Sequence, residues 1–475
     1  MLYIYRYQIK RTILCLLFIV SFAGALQAQL LPEVEELGLW CVYIETENGE
    51  EPTNDVLYAP AGCLGESITN MNKVPCRVFI RFGGGIIFDS GAYEEKESGA
   101  TIRVRGNSSA SQYEKKPYKL KLQKKADLLC RGDEKYNDKD WLLIKNWGLH
   151  GLIGFKMNEK VGLPYAPQFR YVNVVLNGTY RGTYLLCESI KRNKDCRINV
   201  DKTSGYIFEY DAYWWKEPVY VESAYSTPMH YTFKYPEEED LDEDRINAFA
   251  DYIRIVESSM KSDASYDYID YDNFVLWVLG QDLLGNYDAC GSNMFLAKYD
   301  DSPVSKIFMP CMWDFDGIIK KERLPNVFAS VHDYFYFQDL FKNPRFIQTY
   351  CELSDELISG ICQDMINDIN DFVNSEYGAA YERSYNKDME IWDFYEQKNV
   401  KYPLSTWVEK YLEWFSTRPS DLSAAIAKLR TTTSVSRIPT NSNWHHAIYD
   451  LGGNNKNICP RGVNIVDGKK LVIKN

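Results

Sequence analysis

Four polar side chains in a mostly apolar stretch have types and spacing suited to chemistry. Asp288 is followed by four residues and then Asn293, and Asp314 stands before Phe315 one short hairpin later, with Asp316 two positions on. A carboxylate that takes up the proton of a hydroxyl, an amide oxygen that holds a metal, and a second carboxylate that holds metal against phosphates are the parts phosphoryl transfer uses. The neighbouring residues say what must position them. Phe274, Val275, Leu276, Val278, Leu279 and Leu283 predict an apolar helix running into the polar turn at Asp288, and Met294 to Ala297 predicts an apolar strand with Asn293 at its mouth.

Upstream, alternating apolar and basic residues predict a hairpin. Thr101 to Arg105 and Lys115 to Leu122 flank the polar turn Gly106-Asn107-Ser108-Ser109. Alternation puts Lys119 and Lys121 on one face and Tyr118, Leu120 and Leu122 on the other. Those lysines suit a solvated edge, or a phosphate clamp in which Arg105 and Lys121 supply charge and the Gly106 to Ser109 amides donate. Asn177-Gly178, between Phe169 to Leu176 and Gly182 to Glu188, predicts a second hairpin, because Asn-Gly accepts positive φ at both turn positions. Glu188 is either a strand-end charge or a partner for a clamp lysine or metal. Tyr206 to Asp211 is a further strand ending in acids.

Composition bounds the remainder. The chain has 475 residues, 45% of them hydrophobic, so it can bury a large core. A net charge of −12 argues against a nucleic-acid partner. Residues 1–28 have the pattern of a secretory signal: Arg6, Lys10 and Arg11, an apolar run, then small residues from Ala23 to Ala28. Export is therefore expected, to the periplasm, cell surface or medium, without a transmembrane span in the mature chain. Exported chains permit disulfides, and Cys41, Cys63, Cys76, Cys187 and Cys196 are candidates. A β-rich start and helical end, with predicted helices at 337–341, 347–361, 364–372, 388–396 and 406–429, the last interrupted at Arg418-Pro419, fit a two-lobed α+β architecture with the site in the cleft.

About residues 100–320 resemble the spore-coat protein H kinases, the CotH-like family. The pieces that carry the resemblance are Arg105 to Ser109, Lys115 to Leu122, Asn177-Gly178 through Glu188, Asn286-Tyr287-Asp288 with Asn293, and Trp313 to Gly317. The resemblance implies an atypical protein-kinase-like fold and phosphotransfer from ATP, with Mg2+ or Mn2+, to hydroxyls of secreted or surface proteins. It implies Asp288 as base or hydroxyl orienter, Asn293 and Asp314 as metal ligands, and Asp316 as an alternative or second one. Lys121 would pair the phosphates, with Lys116 and Lys119 competing for that role; Glu188 would pair the lysine, and Arg105 and Asn107 would lie near the phosphates. Two departures stand out: Tyr287 replaces the arginine that precedes the catalytic aspartate in ordinary kinases, and Ala289 to Ser292 contains no lysine. A non-catalytic surface or coat-associated protein with the same fold is the alternative. The expected layout is a signal at 1–28, a small β-rich region at 29–99, the kinase-like domain at 100–430, a linker at 431–446 and a β-rich tail at 447–475. That tail resembles sorting modules of exported proteins from Bacteroidetes-type bacteria.

Overall fold

The computed structural model of the protein describes residues 30–432, apart from 70–71, 147, 226–228, 325 and 393–401, together with the strands of the C-terminal segment. The expected signal at 1–28 and residues 433–446 of the expected linker lie outside the described residues. The chain divides into two units, Met1–Thr433 and Ser434–Asn475.

Alternating residues build the first layer of the larger unit. Its strands begin with β1 (Trp40–Thr46), the short pair β2 (Val56–Tyr58) and β3 (Glu66–Ile68), β4 (Val74–Phe82) and β5 (Gly85–Asp89). They continue with β6 (Ala100–Val104), β7 (Tyr118–Ala126), β8 (Asp138–Lys145), β9 (Phe169–Leu176) and β10 (Thr179–Glu188). In space the order is β1-β9-β10-β8-β7-β6-β4, and β4 pairs back onto β1, so the sheet closes into a barrel with β5 added outside. One side chain in two points inward, and Val42, Ile80, Ile102, Leu120, Trp141 and Leu186 are among those filling the interior. Both expected hairpins form: β6 faces β7 with Arg103 opposite Lys119, and Asn177 (φ 49°) and Gly178 (φ 74°) turn β9 into β10. The barrel draws strands from both sides of residue 99, so the expected division there falls inside a single barrel.

A second, antiparallel sheet follows, ordered β12 (Tyr220–Glu222), β13 (His230–Tyr235), β11 (Tyr206–Asp211), β14 (Met294–Lys298) and β15 (Ile307–Phe308). Helices take over from there. Together the layers make a mixed α+β structure, β-rich first and helical later. The helices used below are α1 (His150–Lys160), α2 (Glu243–Ser259), α3 (Tyr271–Leu284), α4 (Pro344–Val373), α5 (Glu376–Ile391) and α6 (Leu404–Thr432).

The helices differ from expectation in three places. The helix expected at 388–396 is the end of α5, which starts at Glu376 and stops at Ile391, and 393–396 lie outside the described residues. The separate segments expected at 347–361 and 364–372 are one helix, α4, started by Asn343, whose side chain accepts from the Arg345 and Phe346 amides. Helix α6 runs through Pro419 without stopping. The buried Arg418 donates from Nε to the Asp282 carbonyl at 2.8 Å and from Nη2 to the Val327 carbonyl at 2.7 Å, so tertiary bonds hold the turn where proline removes a helical one. Cys41, Cys63, Cys76, Cys187 and Cys196, expected as disulfide candidates, are all free thiols, and Cys41, Cys76 and Cys187 are buried in the strands of the barrel. In the smaller unit, strands Ile448–Tyr449, Asn455–Lys456, Gly462–Val466 and Lys469–Ile473 form an antiparallel sheet.

Candidate active site

Helix α3 is mostly apolar and buried along nearly its whole length, with Asp272 in its first turn exposed, as a helix enclosed by its neighbours must be. Asp270 caps its start, accepting from the Asn273 amide, and Gly285 ends it in the left-handed conformation at φ 55°. A side chain at Gly285 would collide with Trp414, whose ring lies 2.4 Å from the position of a Cβ. The chain therefore turns sharply into Asn286, a fully buried amide that ties two loops together. Its Nδ2 donates to Gln281 Oε1 at 3.0 Å and to the Asp314 carbonyl at 3.3 Å, while its Oδ1 accepts from the Asp288 amide at 3.1 Å.

Asp314 is set from the other side. Asn158 of α1 clamps the Met312 backbone, accepting from its amide at 2.6 Å and donating to its carbonyl at 3.3 Å. Phe315 packs on Gly154 so closely that a Cβ there would lie 2.0 Å from the ring. Asp314 itself has φ 60°, a left-handed conformation that aspartate tolerates at a cost. Its carboxylate accepts from the Asp316 amide at 3.3 Å. Gly317 completes the approach: a Cβ there would lie 2.8 Å from Asp288 Cβ and 2.7 Å from Asn286 Oδ1.

Asn293 meets the same loop. Its Nδ2 donates to the Asp288 carbonyl at 3.0 Å, leaving its Oδ1 for another partner. Asp211, at the end of β11, accepts from Ser292 Oγ at 2.7 Å and so anchors the turn before β14. Asp288, Asn293, Asp314 and Asp316 all face one cavity of about 1000 Å3. Burial and the neighbouring Asp314 carboxylate push the Asp288 carboxyl up to about 6, against the pull of Lys320. A carboxylate crowded by a second carboxylate favours a cation between the two. Among the described residues no three His, Cys, Asp or Glu side chains could hold a metal by themselves. Mg2+ suits such a site, because it takes one or two carboxylates and fills its remaining positions with water and phosphate oxygens. Asn293, Asp314 and Asp316 supply oxygen donors only, which fits that ion.

The barrel provides the opposite wall. Arg103, Arg105, Asn107 and Lys119 line the cavity; Lys116, Lys121 and Glu188 do not. Each of the last three has a physical reason. Lys121 lies exposed farther along β7, and Lys116 turns back to donate to the Ala110 carbonyl at 2.6 Å. Glu188 is fully buried and pairs with Arg131 at 2.8 Å rather than with a lysine, also accepting from Tyr165 Oη and the Gln168 amide. Of the three competing lysines Lys119 alone reaches the cavity, in an ion pair with Asp140 at 2.9 Å. Asn107 Oδ1 is already taken, accepting from Lys216 Nζ at 2.8 Å and Ser67 Oγ at 2.6 Å. Burial lowers the proton affinity of both Arg103 and Arg105, and Asp314 and Glu209 draw that of Arg105 back up. No described side chain bonds the buried Arg103 Nη1, and no described carboxylate makes an ion pair with Arg105.

Several cavity residues escape sequence reasoning. Glu209 is buried and pushed up to about 7, with Asp211 adding to the burial effect and Lys234, 2.7 Å away, opposing it. The acids closing β11 were a partial signal for Glu209 and Asp211. Lys234 lies on β13, diagonal to Glu209 across the β11–β13 ladder, and no local pattern announces that. No curated protein is similar enough to match. The family model described as CotH kinase protein matches residues 102–421, about two thirds of the chain, and spans every strand and loop just described from β6 to Gly317. The chain belongs to the CotH kinase family.

Proposed function

We propose that the protein is an exported, magnesium-dependent kinase that transfers the γ-phosphoryl group of ATP to hydroxyls of secreted or surface proteins, on an atypical kinase-like framework with the nucleotide between barrel and helical layer. Family membership points to a kinase-like phosphotransferase. The observation that carries the finer reading is one cavity holding crowded carboxylates, Asp288 and Asp314, together with Arg103 and Arg105, which make no ion pair among the described residues. A scaffold gains nothing from that imbalance, whereas a metal–polyphosphate fills it with charge of both signs.

Asp288 holds the acceptor hydroxyl and takes its proton as the acceptor oxygen bonds to phosphorus and the bond to the departing diphosphate breaks. Bound Mg2+ supplies charge neutralisation and orientation of the phosphates. Asn293 and Asp314 hold that ion, with Asp316 as a further oxygen donor, and Arg105, Arg103 and Lys119 face the phosphate charge from the barrel. Asn286 and Gly317 keep Asp288 and Asp314 in register. The test is nucleotide-dependent stabilisation followed by transfer. Millimolar Mg-ATP should raise the melting temperature, since a ligand of the folded state alone must stabilise it, and labelled ATP should mark the protein's own surface fraction. A melting curve unmoved by Mg-ATP sinks this reading and leaves a non-catalytic binding protein. Export rests on the pattern at residues 1–28, and the N-terminal residue of the mature protein from fractionated cells checks it.

A further inference from the structure

Basic side chains in the cavity fall into two sets. On the barrel and the second sheet, Lys119 is paired with Asp140 at 2.9 Å and Lys234 with Glu209 at 2.7 Å, while Arg103 and Arg105 stand on the barrel side without an ion pair among the described residues. The second set lies in the loop after the Asp314 turn. There Lys320 Nζ is 5.5 Å and Arg323 Cζ 5.6 Å from the centroid of the Tyr287 ring, a cation–π distance for each. Both line the same cavity, and Lys320 is close enough to act on Asp288. Among the described residues neither makes an ion pair with a carboxylate; the neighbouring Lys321, by contrast, reaches Asp421 at 3.6 Å.

A serine or threonine hydroxyl is neutral and asks nothing more of the site than Asp288. Two cations held on the ring of the residue before Asp288 put positive charge beside the acceptor's place, beyond what the neutral hydroxyl itself calls for. We propose that Lys320, Arg323 and Tyr287 form an acceptor subsite for an anionic side chain, so that the substrate is a protein segment carrying a carboxylate or a phosphoryl group within a few residues of the target hydroxyl. The inference rests on the phosphotransfer reading and names its acceptor class. The chain's overall charge of −12 does not oppose it. At physiological salt, charges beyond about 8 Å are largely screened, and local charge decides the contact.

The experiment uses synthetic peptides with a single serine, flanked by glutamate, phosphoserine, glutamine or lysine, with Mg-ATP and the full mature chain. The glutamate and phosphoserine peptides are expected to exceed the glutamine peptide about tenfold in kcat/KM, the scale of two partly screened charge contacts, and their ratio to each other tells carboxylate from phosphoryl. Arg323→Glu is expected to invert the order so that the lysine peptide leads; the ratio is independent of the amount of folded enzyme. A parent enzyme without acidic preference overturns the inference, as does Arg323→Glu with an unaltered ratio or with only a raised KM for ATP. Fluorescence anisotropy of the same peptides reads binding without turnover. Preferential binding of the acidic peptides with no transfer to any peptide overturns the kinase reading and keeps the subsite, whereas equal binding of all four removes the subsite whatever the transfer.

Discussion

The barrel wall and the cavity treat charge in opposite ways. Behind the wall, Lys115 donates to both oxygens of Asp388, at 2.7 and 2.9 Å, and to the Thr183 carbonyl, and Gly182 lacks the Cβ that would fall 1.7 Å from that carboxylate. Glu188 is likewise matched by Arg131, Tyr165 and a backbone amide. In the cavity, Asp288 is crowded by Asp314 and makes no ion pair among the described residues, and Arg103 Nη1 is buried without a partner. Buried ions that serve the fold are paired and saturated; those that serve a ligand are held ready by amides such as Asn286 and left with capacity to spare.

Removing charge from each side breaks that comparison most directly. Asp288→Ala should cost roughly a thousandfold in transfer of labelled phosphate, while urea unfolding shows stability no lower than the parent's; equal transfer by variant and parent would show Asp288 misassigned. The matching change behind the wall, Lys115→Ala, should do the reverse. It leaves the Asp388 carboxylate buried and alone, at a cost of about 3 kcal/mol in unfolding free energy, and a denaturation midpoint equal to the parent's would contradict the structural role.

Smaller changes sharpen the distinction. Gly317→Ala should push Asp288 and lower kcat about tenfold, with little effect on the KM for ATP and an unchanged fold; a parental kcat would mean the loops yield freely. The smallest effect concerns pH. The Asp288 carboxyl is raised to about 6 from its ordinary value of 3.8, so protonation favours the folded form. Its contribution to stability is full below about pH 4 and is lost as pH rises through 6. Asp288→Asn, without metal, should therefore melt about 1–2 °C above the parent at pH 7.5 and level with it at pH 4. A difference of the same size at both values would place its origin elsewhere.

Part of this was legible in the residues themselves. The apolar run of α3, the Asn-Gly turn of the second hairpin and the alternation of β6 and β7 came through because each depends on bonds within a few residues. The same holds for the turn at Asp288, where Asn286 and Asn293 bond within the loop. Helix α6 did not, because local preference ends a helix at Pro419 and distant carbonyls bonded to Arg418 keep it going.

By its own chemistry, then, the sequence determined the elements, their order and the short turns that carry Asp288, Asn293 and Asp314. Only the tertiary structure decided which charges meet. Arg131 reaches Glu188 across 57 residues and Lys115 reaches Asp388 across 273, and strand alternation cannot say which basic residue on one face of β6 and β7 looks into the cavity. Closure of the barrel makes that choice, setting Arg103, Arg105 and Lys119 on its outer side toward the site while Lys121 stays in solvent. The physical reason is range: turns and helices are set by neighbours along the chain, whereas ion pairs form wherever packing brings opposite charges within a few ångströms.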